Sequence, residues 1–275
     1  MKYCVSGRQP YSVLKQADEV RVAYVDKDRI MDFVEQIPDK RIILELDSQI
    51  ALIEEKVWVM YQEKFDHFCV ATNSLHMAKE MNEANIPWFW PFPITTFYEL
   101  KFILSWNPCY IVLGPPLCFD LETVKKITKT PIRLTPNLAA PEYLRHMSQE
   151  PNFTGPWIRP EDVKFYEPYV EVMEFYNNDG RLKTEEILLD VYTKANWPGN
   201  LNLLLTDLNF NVDNRAIVED LGQRRVICGQ RCMKNGTCHL CESALRFADQ
   251  LRKVHGERKQ EAAIDNEYKK WYNII

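Results

Sequence analysis

Short apolar runs alternate with amphipathic stretches from the first residues onward, and the interval between them repeats. Residues 3–6, 19–26 (EVRVAYVD), 41–47 (RIILELD), 67–72, 87–92 (PWFWPF), 110–114 (YIVLG), 132–135, 170–176 (VEVMEFY) and 201–208 (LNLLLTDL) read as strands. Helical spacing falls between them, at 12–17, 29–37 (ended by Pro38), 50–64, 75–85, 96–106, 121–128, 160–166 and 184–194, and again after the last run at 242–255. Strand–helix repeats of this length demand crossovers, and hence a parallel sheet. The chain carries no Gly-rich phosphate fingerprint, which favours an α/β (β/α)8 TIM-like barrel over a doubly wound sheet. Nine candidate strands stand where eight are needed, so one is surplus or the barrel is irregular.

The rhythm breaks once, over 137–162, a proline-rich irregular insertion around a short helix at 142–147. It contains no low-complexity linker, and residues 1–275 read as one barrel domain with a charged helical tail over 242–275. The chain is 46% hydrophobic and 12% aromatic, enough for a sizeable core. Its net charge of −5 argues against a mainly electrostatic nucleic-acid binder, leaving room for a local basic patch. The N-terminus lacks a long apolar stretch, and no run approaches the roughly 18 apolar residues of a membrane span. The expectation is a cytoplasmic protein away from the membrane. In that compartment the sequons at Asn152 and Asn235 stay unmodified, and Cys4, Cys69, Cys109 and Cys118 stay reduced core thiols.

The densest chemical signal lies late in the chain. Cys228, Cys232, Cys238 and Cys241 fall within fourteen residues, with Asn235-Gly236 between the pairs as a turn. Four thiolates complete a tetrahedral zinc site or hold a 4Fe-4S iron–sulfur cluster, and the spacing does not choose between them. Cys238-His-Leu-Cys241 also has the spacing of a redox dithiol, but lacks the strand-to-helix setting of one. Following the last candidate strand, the cluster is expected at the carboxyl-end mouth, where barrels place their chemistry.

Strand ends supply further candidates: Glu45, Asp47, Asn73, Arg133, Asn137, Glu174 and Asp207. Glu45 and Asp47, two apart on a strand, face one side and could share a proton or a cation; the plainer reading is that each caps the helix that follows. Arg133 is a cation inside an apolar strand. It suits a bidentate grip on a substrate anion or an ion pair with a barrel acid. The aromatics Trp88, Phe89, Trp90 and Phe92 read as barrel packing rather than a stacking platform. His67, His76 and His146 have no metal spacing.

Two segments carry a family resemblance. Thr154-Gly155-Pro156-Trp157-Ile158-Arg159-Pro160-Glu161-Asp162-Val163 leads through a short helix to Tyr169-Val170-Glu171-Val172-Met173-Glu174-Phe175-Tyr176. This resembles the collagenase-like peptidase family U-thirty-two, in which a G-x-x-x-x-P-x-D segment precedes a strand bearing a Glu. The order of elements through Ile132-Arg133-Leu134-Thr135-Pro136-Asn137 agrees. The family's Glu-Gly-Arg is here stretched to Glu174-Phe-Tyr-Asn-Asn-Asp-Gly180-Arg181, and its cysteines span a longer interval. The resemblance implies a barrel and a cysteine-bound cluster. It further implies either oxygen-independent hydroxylation of an RNA or small aromatic substrate, or peptidase activity.

Three functions follow. The first is a barrel enzyme with iron–sulfur or zinc on the four cysteines, in which Arg133 orients a small anionic molecule or RNA, and Glu174 and Asp47 act as acid or base. The second is a non-catalytic barrel clipped by structural zinc that binds a protein partner. The third is a peptidase, for which the chain shows no nucleophile–base pair.

Overall fold

The computed structural model describes residues 1–23, 32, 35–46, 68–137, 157–175, 182–205, 213–217, 221–226 and 228. Eight parallel strands close into a barrel in sequence order: β1 (Lys2–Ser6), β2 (Glu19–Ala23), β3 (Arg41–Leu46), β4 (Phe68–Thr72), β5 (Trp88–Ile94), β6 (Tyr110–Leu113), β7 (Ile132–Leu134) and β8 (Val172–Glu174). Closure is direct: β1 pairs with β2 on one side and β8 on the other, with Cys4 opposite both Glu19 and Glu174. Described helices around it are α1 (Tyr11–Leu14), α2 (Leu75–Glu83), α3 (Phe97–Leu104), α4 (Leu121–Ile127), α5 (Val163–Tyr166), α6 (Leu182–Lys194) and α7 (Leu221–Val226). No described helix is long and apolar enough to cross a membrane.

Strand alternation separates two cores. One parity of each strand, including Val20, Ile42, Leu44, Val70, Ile111 and Met173, joins the apolar shell that also takes in the helices. The other parity points into the barrel: Cys4, Ile43, Cys69, Ala71, Phe89, Tyr110, Val112 and Val172 form a separate, smaller cluster. Trp88 belongs to the shell, its indole Nε1 donating to Asn82 Oδ1 of α2 at 2.9 Å. The ring of Phe89 is buried, whereas Phe92 is 52% exposed, because prolines at 91 and 93 interrupt the ladder and the pairing with β6 shifts register between Trp90 and Ile94.

Eight strands suffice, so the ninth candidate is corrected. Within 201–208, Leu201–Leu203 is a turn of 3-10 helix, and residues 206–208 lie outside the described set. Leu201, Leu204 and Leu205 are buried, which accounts for the apolar run. With β8 hydrogen-bonded to β1, the sheet has no free edge for another strand. The run packs on the outer shell instead.

The helices form where capping and apolar spacing agree. α3 begins with a capping box: Glu99 N donates to Thr96 Oγ1 at 3.1 Å, and Thr96 N donates to Glu99 Oε2 at 3.0 Å. Thr96→Ala removes one half of this exchange and should cost about 1 kcal/mol, read as a lower urea midpoint with an unchanged slope. α6 is held to the barrel by Tyr192, whose hydroxyl donates to Ile158 O at 2.5 Å, and by Glu185, which accepts the Ser6 amide at 2.6 Å.

Candidate functional site

Charges at alternate positions of β2, β3, β7 and β8 share the inward parity and meet inside the barrel. The centre is Arg133 on β7, whose side chain is 0% exposed. Its Nη1 donates to Glu19 Oε2 at 2.5 Å. Its Nε and Nη2 donate to Glu174 Oε2 at 3.3 and 3.1 Å. The guanidinium plane lies 4.8 Å from the Phe89 ring centroid and 5.0 Å from that of Tyr110, so aromatic faces take the surface that the carboxylates leave. Burial works against the charge, and the carboxylates of Glu174 and Glu19 more than offset it, holding the guanidinium protonated.

The network extends both ways along the barrel. Toward the amino ends of the strands, Tyr110 donates its hydroxyl to Glu19 Oε1 at 3.0 Å, and Arg41 Nη1 donates to the Tyr110 oxygen at 2.5 Å. Burial and the neighbouring Glu19 push the Tyr110 phenol up, so it stays a donor. Toward the carboxyl ends, Arg21 Nη1 donates to Glu174 Oε1, and Arg21 Nε stands 3.7 Å from Glu45 Oε2. Burial raises the Glu174 carboxyl, but Arg21 and Arg133 outweigh it and hold the group below the usual carboxylate range. Exposure rises along this path, from 12% at Glu174 to 29% at Arg21 and 40% at Glu45. On the carboxyl side of Arg133, Arg21 and Glu45 are the most exposed charges of this network among the described residues.

Arg133 and Glu174, both expected from the sequence, are thus brought together. The ion-pair alternative for Arg133 is what the geometry holds: its donors are engaged by Glu19 and Glu174, and its surface is covered. Asn137 is buried beyond β7, Asn73 follows β4, and Asp47 and Asp207 lie outside the described residues. Sequence reading missed Glu19, Arg21, Arg41 and Tyr110. The signal was present in Glu19-Val-Arg21-Val and Arg41-Ile-Ile-Leu-Glu45, where charges are interleaved with apolar residues on strands whose other face joins the apolar shell.

The segment that carries the family resemblance does structural work in its described part. Arg159 clasps Asp162 bidentately at 2.7 and 2.8 Å, and Glu161 Oε1 accepts from Trp197 N at 2.5 Å and Asn214 Nδ2 at 2.9 Å. Against it sits α7. Arg225 donates Nη1 to Trp157 O, with its guanidinium 4.1 Å from the Trp157 ring centroid and 4.8 Å from that of Phe119.

The four-cysteine metal centre is corrected. Among the described residues, no group of three or more His, Cys, Asp or Glu side chains could hold a metal ion. Cys228 is half-buried with a free thiol, two residues beyond α7, while Cys232, Cys238 and Cys241 lie outside the described residues. The expected place at the mouth also loses its basis. It relied on a strand at 201–208, and the segment before Cys228 is α7 on the outer shell, with Cys228 packed there. Local spacing made the cluster attractive, but spacing does not specify convergence in space. The iron–sulfur and zinc readings, the hydroxylase chemistry attached to them and the zinc-clipped interaction module are set aside with it.

No family model matches the chain. An uncharacterized protease of Methanocaldococcus jannaschii is 28% identical over 109 residues, covering 38% of this chain and 32% of that protein. The match therefore spans about a third of the relative's length, and it amounts to a distant relationship to a protease. Among solved structures, a designed cube-shaped, highly porous protein cage built by fusing symmetric oligomeric domains aligns with a TM-score of 0.46 and 10% identity, over 98% of this chain and 93% of that one. The barrel assignment rests on strand order and register in this chain.

Proposed function

We propose that this chain is a distant barrel relative of the collagenase-like peptidase family, and that its carboxyl-end mouth binds a peptide through the peptide's carboxylate, with Arg21 as the receiving group. The observation that carries this reading is the unequal clasp on Arg21. Glu174, itself braced by Arg133, holds one edge of the guanidinium with a hydrogen bond. Glu45 faces the Nε edge at 3.7 Å, beyond hydrogen-bonding distance, and is 40% exposed. An incoming carboxylate can displace Glu45 from that edge without disturbing Glu174. Arg133 and Glu174 are positioning residues in this scheme, since they fix the plane of Arg21 rather than touch the ligand. The distant protease relationship supports a peptide as the ligand class.

The test is calorimetric titration of short peptides with free or amidated carboxyl termini. Arg21→Met should weaken binding of the free-acid peptide by about 10–100-fold, the loss of one charge-assisted contact. Glu45→Gln, which removes a competing carboxylate, should tighten it by roughly threefold. Amidation should mimic Arg21→Met. Arg21→Lys, which keeps the charge without the fork, should fall between. Equal affinity of a folded Arg21→Met protein and the wild type would sink the assignment.

A further inference from the structure

The plain role for an asparagine ahead of a helix is to cap it. Asn73 does not. It stands between the last residue of β4 and Ser74, and Ser74 takes the cap of α2, its Oγ accepting from Met77 N at 3.3 Å. Thr72 Oγ1 accepts the Ser74 amide at 3.2 Å, and Thr72 pairs with Leu46 of β3, so the chain is held on both sides of Asn73. The carboxamide between them is idle: its Oδ1 is buried without a hydrogen-bond partner, and no described bond engages its nitrogen. A buried amide oxygen left unpaired costs stability, and a ligand is one source of the missing donor.

The position of Asn73 fits that source. Cys69 and Ala71 of β4 face the barrel interior, and the alternation carries Asn73 to the same side at the carboxyl end. Glu45, the displaceable acid beside Arg21, pairs in the ladder with Ala71, two residues before Asn73. Arg21 on β2 and Asn73 beyond β4 therefore stand about two strand spacings apart, roughly 9–10 Å, with Glu45 on the strand between. An extended peptide advances about 3.3–3.6 Å per residue, so a chain anchored by its carboxylate on Arg21 lays its second or third peptide group over Asn73. Two other amide side chains at this end are sealed: Gln9 is 2% and Asn137 0% exposed, whereas Asn73 is half-buried.

We propose that Asn73 reads the backbone of the bound peptide: Oδ1 accepts the N–H, and Nδ2 donates to the C=O, of one interior peptide group. This rests on the assignment of Arg21 as the carboxylate receiver. A carboxamide and a peptide group present matching donors and acceptors, so the contact is indifferent to the peptide's side chains. Turning the amide from its buried position toward the mouth breaks no hydrogen bond, and its terminal torsion is broad. The ligand class narrows to a chain that carries a free carboxylate and a peptide group two or three residues upstream. A simple carboxylic acid gains only the Arg21 contact.

The test is a scan of ester-for-amide replacements through acetylated tetra-alanine with a free carboxyl end, titrated calorimetrically against the full chain. An ester removes the N–H and weakens the carbonyl without adding bulk. One interior ester, second or third from the carboxyl end, should weaken binding to the wild type by about 3–10-fold. In Asn73→Ala the all-amide peptide should bind about as weakly as that ester binds the wild type, and the ester should then cost less than about twofold. Since Asn73 makes no hydrogen bond within the described fold, the variant should keep the wild-type urea midpoint. Should it fail to fold, Asn73→Asp serves: it keeps an acceptor for the N–H but sets a charge against the carbonyl, and should also weaken the all-amide peptide. The proposal is overturned if the ester penalty is the same in Asn73→Ala as in the wild type. It is equally overturned if no interior ester weakens binding while amidation of the carboxyl end still does. If amidation and Arg21→Met change nothing, the carboxylate reading itself fails, and this assignment falls with it.

Discussion

Arg133→Met should lower the unfolding free energy by about 3–5 kcal/mol, the range for removing one partner of a buried ion pair. Methionine fills most of the volume between Phe89 and Tyr110, so the loss is electrostatic rather than a cavity. Glu19 and Glu174 are left facing each other across the interior beside Cys4, with Glu174 still attached to Arg21 and Glu19 to Tyr110. The pH dependence gives the signature. In the wild type, the folded Glu174 carboxyl lies below its unfolded value, so its contribution is present above about pH 4.3 and is lost as pH falls through the folded value. In Arg133→Met the carboxylates lack their central cation, and protonation relieves them, so the deficit against wild type should shrink toward acid. Urea midpoints from about pH 2 to about pH 8 measure both slopes. Adding Glu19→Gln and Glu174→Gln to Arg133→Met should recover much of the stability at neutral pH. A single-variant cost under about 1 kcal/mol would mean that the interior charges are not holding the barrel together.

The second large effect is expected at Gly222→Ala. Helix propensity alone would make this substitution stabilising by about 1 kcal/mol. Packing reverses the sign. A Cβ on Gly222 would stand 2.4 Å from Asp162 Cγ and 2.5 Å from Asp162 Cβ. Asp162 cannot swing away cheaply, because Arg159 holds both of its oxygens in a buried clasp. α7 must move instead, pulling Arg225 from the Trp157 carbonyl and from the rings of Trp157 and Phe119. The expected cost is about 2–4 kcal/mol, combining overpacking with a weakened buried hydrogen bond. Thermal unfolding of the variant measures it. Asp162→Gly with Gly222→Ala should cost clearly less than the sum of the two single changes, because both atoms that clash are gone. A neutral or stabilised Gly222→Ala protein would show that α7 docks more loosely than the close approach requires.

The two sites were legible to different degrees, and the reasons are particular. Arg133 stood out because a cation in a short apolar strand is chemically conspicuous, and Glu174 because a resemblance pointed to its strand. Glu19 and Arg21 did not, because charges alternating with valines on a strand look the same whether they face water or a barrel interior. Gly222 carried no signal at all: its need for a missing side chain comes from Asp162, sixty positions earlier in the chain. The cysteine cluster erred in the other direction, since tight spacing in one segment was read as convergence in space. The leucines at 201–205 misled in a similar way, because an apolar run reports burial and not the partner that buries it.

What the amino-acid order settled unaided was periodic and local: which residues alternate, which turns repeat at helical spacing, where proline interrupts, and hence an α/β barrel of parallel strands. Those features depend on near neighbours along the chain, whose geometry follows from the backbone alone. Folding decided the contacts between distant segments. Arg133 reaches Glu19 across 114 positions, Arg21 reaches Glu174 across 153, and Cys69 reaches Cys109 across 40. Each depends on strand register, and the reach of Arg21 to Glu174 also on the closing pair between β1 and β8; one residue of slip would turn those side chains to the opposite face.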